Sequence, residues 1–184
     1  MRISRAMRIA LVGVLVLGVA VFILLIELGV NAGLIHHGVS VQGINLGGMT
    51  AANAGKLLEK EGDTLKKTLV VFGRDGLPRK LSFEPRTIGW QPRWKRTLRA
   101  AMAVGRDQGP FDALVERARA WFGIEVPWAG SPKPEEVDRL LTEWEEIAEA
   151  SGLTIDRGAL RYKIRRVLSY RPRQSLYRVP LTGD

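Results

Sequence analysis

The chain opens with Arg2, Arg5 and Arg8, and directly behind them the run from Ile9 to Ile26 carries no charge and is apolar almost throughout. At about 1.5 Å of helical rise per residue such a run covers roughly 27 Å, close to the hydrocarbon thickness of a bilayer. The sequence therefore predicts a cytoplasmic tail over 1–8, an N-terminal transmembrane helix over 9–28 and a linker over 29–37. Positive charge on the near side orients the tail to the cytoplasm, so residues 38–184 are expected outside it, on a single-pass cell-membrane protein. The competing expectation is a cleaved signal peptide, since Val30-Asn31-Ala32 offers small residues in roughly the spacing a signal peptidase needs. The run exceeds the roughly 7–15 residues of a signal-peptide core and is followed by Glu27, which favours an uncleaved signal-anchor.

About 150 residues remain, enough for one ordinary domain. With no cysteine in the chain, neither a disulfide nor a thiol nucleophile nor a thiolate metal site is available to it. Net charge is +9, and without the three arginines of the tail it is +6, which favours anionic partners such as a wall polymer or membrane lipid headgroups. A basic chain commonly binds nucleic acid, but an extracytoplasmic domain is separated from it, and nucleic acid is not expected.

The predicted domain is α+β, with strands early and late and helices between them. Val39 and Val41 alternate as a strand that runs into a glycine turn, and Thr50 can cap a helix carrying Ala54, Leu57 and Leu58, with Gly62 as its stop. Thr68 to Phe72 and Leu81 with Phe83 make a hairpin around Arg74-Asp75-Gly76. Pro92 opens a helix that buries Trp94, Leu98, Ala101 and Met102. A further helix from Pro110 repeats Phe111, Leu114, Val115, Ala118, Trp121 and Phe122 as a core face. After a link over 126–131, Val137, Leu140, Leu141, Trp144, Ile147 and Ala148 form the buried side of an otherwise acidic helix. Asp156 caps the next one, which buries Leu160, Ile164, Val167 and Leu168 before Pro172, and a strand lies within 175–181.

Catalytic chemistry has little to stand on. His36 and His37 are the only histidines, and as neighbours in an extended segment they point to opposite sides, so they read as solvated linker residues and no metal site is expected. The carboxylates from Glu135 to Glu149 lie opposite an apolar stripe, where a charge run is ordinarily a solvated face rather than a glycosidase pair. No phosphate-cradling glycine loop is present, and no cofactor is expected. Arg93, Lys95, Arg96 and Arg99 likewise read as a solvated helix face.

The segment from Arg157 to Arg178 is strongly basic, without one acidic residue, and interleaves Tyr162, Tyr170 and Tyr177. Arginine grips carboxylate and phosphate bidentately and tyrosine can cover a sugar ring, so Arg161, Arg165, Arg166, Arg173, Tyr162 and Tyr170 are the candidate ligand-binding residues. The alternative is that these arginines simply neutralise the acidic helix before them.

The stretch Gly38-Val39-Ser40-Val41-Gln42-Gly43-Ile44-Asn45-Leu46-Gly47-Gly48-Met49-Thr50, with Ala54 and Leu58 behind it, resembles the opening of VanW-type bacterial envelope proteins. Fainter likeness continues through Asp75-Gly76, Ile88-Gly89, Gly105-Arg106 and Gly152-Leu153-Thr154-Ile155-Asp156, and is similar to the N-terminal peptidoglycan-binding module of those proteins and of some L,D-transpeptidases. The resemblance implies a wall-associated, non-catalytic α+β module. Such proteins usually continue into a VanW domain or a cysteine-dependent catalytic domain, neither of which is in these 184 residues. The expectation is a non-enzymatic protein that binds peptidoglycan or an anionic wall polymer near the membrane. The alternative is a scaffold that recruits an envelope protein partner, a separate wall enzyme.

Overall fold

The computed structural model describes residues 11–16, 18–19, 22, 33–106, 112, 115–116, 119–170 and 176–183. The chain forms two compact units, Met1–Leu34 and Ile35–Asp184.

In the first unit the described residues 11–16, 18–19 and 22 are helical, with Leu11, Val12, Val14, Leu15 and Val16 all exposed. The expected transmembrane helix over 9–28 is not what the structure shows. Among the described residues no helix is long and apolar enough to cross a membrane. The tail over 1–8 lies outside the described residues.

The second unit is α+β, as expected. Strand β1 (Val39–Val41) turns back on β2 (Ile44–Asn45), pairing Ser40 with Asn45 and Val41 with Ile44. The two-residue turn has φ of 50° at Gln42 and 74° at Gly43, the left-handed pair that a tight hairpin requires. Helix α1 (Ala51–Lys67) follows, with the Thr50 hydroxyl accepting from the Asn53 amide at 3.3 Å. It does not stop at Gly62. That residue is buried mid-helix, where a Cβ would stand 3.1 Å from Pro92 Cγ and 3.5 Å from the Trp128 ring, so the glycine serves close packing instead.

Strands β3 (Val70–Gly73) and β4 (Leu81–Phe83) form the predicted second hairpin, and α2 (Trp94–Ala103) comes next. Strand β5 (Ile124–Glu125), unforeseen in the sequence, then returns to pair in parallel with β1. Glu125 fastens that return by accepting from the Ser40 hydroxyl at 2.6 Å and the Gly43 amide at 3.0 Å. Helices α3 (Pro134–Glu149) and α4 (Arg157–Tyr170) lead to β6 (Tyr177–Arg178), which pairs in parallel with β3. The sheets thus have orders β2-β1-β5 and β4-β3-β6, each a hairpin completed by a distant strand. The interleaving makes residues 35–184 one folding unit.

The core holds one aromatic knot. Phe72 stands 5.5 Å from Trp144, 5.4 Å from Tyr177 and 6.5 Å from Phe83 between ring centroids, joining β3, α3, β6 and β4. The predicted apolar faces of α3 and α4 lie inside, with Val137, Leu141, Trp144, Leu160, Ile164, Val167 and Leu168 buried.

Two expectations about burial are overturned. His36 is only 7% exposed, packed in the unit that starts at Ile35, and only His37 is solvated. The stripe ending in Trp121 and Phe122 is not a core face at its described apolar positions: Val115 is 51%, Trp121 69% and Phe122 94% exposed. The helical period is present, yet the chain turns at 121–122 and carries both rings outward. Phe111, Leu114 and Ala118 lie outside the described residues.

Candidate functional site: a tyrosine-flanked arginine groove on α4

Helix α4 is amphipathic for a reason that also builds the site. Leu160, Ile164, Val167 and Leu168 repeat at helical spacing and face the core. Tyr162, Arg165, Arg166, Ser169 and Tyr170 therefore share the opposite stripe, and they line one open surface groove. Both tyrosines are exposed at its ends.

The helix is held firmly at each end. At its start the Ala159 amide donates to the Asp156 carboxylate at 2.9 Å, the predicted cap. At its finish the last carbonyls lack partners within the helix. Gln42 Nε2 donates to the Leu168 carbonyl at 3.0 Å, and the Trp128 amide donates to the Ser169 carbonyl at 2.8 Å. The β1–β2 turn and the segment after β5 therefore fix the end of α4 that carries the groove.

The structure divides the basic segment between the two readings that the sequence left open. Arg157 is bound to α3: it donates to the Glu145 carboxylate, to Asp138 at 3.4 Å and to the Asp138 carbonyl at 3.1 Å. Arg161 is ion-paired with Asp138 as well. This first half of the segment is engaged with α3, and Arg161 stands in an ion pair rather than in the groove. One turn further on, Arg165 and Arg166 form no ion pair among the described residues and lie in the groove with Tyr162 and Tyr170. Of the predicted ligand residues these four are brought together, and Arg173 lies outside the described residues.

A second basic concavity was not foreseen. Arg74, Arg79 and Lys80 of the β3–β4 hairpin, with Asp75 among them, share a groove with Leu176 and Arg178. Parallel pairing sets Gly73 opposite Arg178 and so joins charges far apart in the chain. The only signal in the sequence was the density of basic residues around the hairpin turn.

Elsewhere the polar chemistry is ordinary. The Asp63 carboxyl is held below its usual value, by a hydrogen bond from Lys66 at 2.8 Å and then by the charge of that ammonium. Lys95, in the second basic cluster, rests 5.4 Å from the Trp94 ring centre. Among the described residues no cluster of histidine, aspartate and glutamate is placed to hold a metal ion.

The residues from Gly38 to Thr50 have evident structural duties here. Gly38 admits a backbone crossing, Gln42-Gly43 makes the turn, and Thr50 caps α1. Compared with protein-family models, with curated proteins and with solved structures, the chain matches none.

Proposed function

We propose that residues 35–184 are a non-catalytic binding module of the bacterial cell envelope, and that the α4 groove holds peptidoglycan or an anionic wall polymer. The observation that carries this reading is the stripe itself: two arginines without ion-pair partners among the described residues, set between two exposed tyrosines. Guanidinium groups grip carboxylate or phosphate in paired hydrogen bonds, and phenol rings offer flat faces to sugars. From Tyr162 to Tyr170 the stripe runs about 12 Å along the helix, which suits a linear polymer better than a lone ion. The +9 net charge and the likeness of Gly38–Thr50 to VanW-type proteins support the same ligand class.

The test is co-sedimentation of the full chain with isolated sacculi over a salt series, beside the Arg165→Ala/Arg166→Ala double variant. Retention that falls with salt and is lost in the variant is expected. Equal retention of both proteins, or none at low salt, would sink the reading. Retention lost on the sacculi but retained on an acidic envelope protein would instead favour the scaffold.

A further inference from the structure

The outward-facing pair Trp121–Phe122 lies outside the buried core and does not line the α4 groove. Phe122 is 94% exposed and Trp121 69%, on a turn whose amides donate to Arg119 and Ala120 carbonyls at 2.9 and 3.0 Å. Two adjacent large aromatics on a projecting turn are an unusual exposure of apolar surface for a module that keeps Trp90, Trp128 and Trp144 fully inside.

The position of the turn narrows what covers it. Gly38 crosses the backbone just before it: a Cβ there would lie 1.8 Å from the Ala120 carbonyl oxygen and 3.6 Å from the Gly123 amide. The aromatic turn therefore stands beside the first strand of the second unit, at a fixed edge of that unit. The interface of a bilayer accommodates an exposed Trp-Phe tip, with the indole at the headgroup boundary. Exposed Arg119 is placed next to the rings, and a chain of +9 is drawn to anionic headgroups.

We infer that the Trp121–Phe122 turn is a membrane-docking tip that lowers its two rings into the interface of an anionic phospholipid bilayer. Trp121 takes the headgroup boundary, where an amphipathic indole is most at home, and Phe122 the acyl side. Docking at this turn is independent of the α4 groove, so either can fail without the other.

Trp121 is itself the probe. The full chain is mixed with phosphatidylglycerol–phosphatidylcholine vesicles, with and without bromine on the acyl chains, and tryptophan emission is recorded for the wild type and for Trp121→Phe. The inference expects a blue shift and bromine quenching in the wild type, both absent in the variant, and both unchanged in Arg165→Ala/Arg166→Ala. Vesicle binding without quenching of Trp121 would overturn it, because the chain would then be held by another surface. A blue shift that grows with protein concentration in the absence of lipid would also overturn it, and would assign the turn to a contact between copies.

Discussion

Asp138 on α3 is ion-paired with Arg161 on α4, and this contact draws a line across the basic segment. Before the line, arginine fastens helix to helix. Beyond it, Arg165 and Arg166 project into the groove, free of ion pairs among the described residues.

The Asp138–Arg161 pair is half-exposed, at 45% and 40% of the two side chains, so its contribution to stability is small. A double-mutant cycle of Asp138→Asn and Arg161→Gln followed by urea unfolding is expected to give a coupling of about 1 kcal/mol or less. Arg161→Gln is also expected to leave wall binding within about twofold of wild type, which sedimentation with sacculi would check. A large binding loss would return Arg161 to the ligand site.

Gly38→Ala should be among the most damaging small changes in the protein. The new Cβ would meet a backbone carbonyl at 1.8 Å, and the residue has φ +78°. Left-handed strain of about 1–2 kcal/mol and overpacking of about 1–3 kcal/mol act together. Gly152, at φ +72° with nothing within 4 Å, separates the two causes. Gly152→Ala should cost only the strain, and comparable unfolding midpoints for the two variants would disprove the close approach.

Much of this was readable in advance, and the failures have a common cause. Periodicity found α3 and α4 with their buried faces, because an apolar stripe at helical spacing reports burial whatever packs on it. Asp75-Gly76 announced the second hairpin, and the Arg165–Tyr170 stripe was named before its groove was known. Strand β5 escapes because two residues, Ile124 and Glu125, carry no periodic signal, and their pairing with β1 is set by the fold alone. The period through Trp121 and Phe122 was read as burial although it reports only a helix. Whether a stripe is covered depends on partners that lie elsewhere in the chain.

Gln42→Glu probes the clamp on α4. The wild-type side chain donates to Leu168 O, while a carboxylate would set negative charge against that carbonyl in a buried position. A loss of about 2 kcal/mol at neutral pH is expected from the missing donor and the unpaired carbonyl. Burial beside a carbonyl raises the pKa of the new carboxyl, so the protonated form regains the donor and the gap from wild type narrows as pH falls. Equal gaps at neutral and acidic pH would show that the side chain does not cap the helix.

Asp63 should titrate below an unperturbed aspartate, since Lys66 hydrogen-bonds and attracts its charged form. Its stabilising contribution is present above the ordinary carboxyl value and vanishes as pH falls through the lowered one. Carbon-detected NMR titration should show the shift and its reversal in Lys66→Ala. The Asp63 side chain is 67% exposed, so no measurable change in global stability is expected from the same variant.

Phe72→Ala removes the ring that links Phe83, Trp144 and Tyr177. A cost of about 3–5 kcal/mol is expected for so central a residue. Thermal melts read through the buried Trp144 should shift sharply downward, and an unchanged midpoint would place the core elsewhere.

The interleaved sheets have a consequence for how such a chain is made. Ser40 waits for Glu125, which lies 85 residues further along, and Arg74 waits for Val179, 105 residues further along. The first sheet cannot close on a nascent chain until β5 at Ile124–Glu125 has emerged from the ribosome, and the second must wait for β6 at Tyr177–Arg178. High contact order slows the final search, and meanwhile β1 and β3 each keep an open edge. A second sheet that stays open until residues 177–179 appear leaves that half of the unit threadable through a narrow conduit long after the first sheet has its strands.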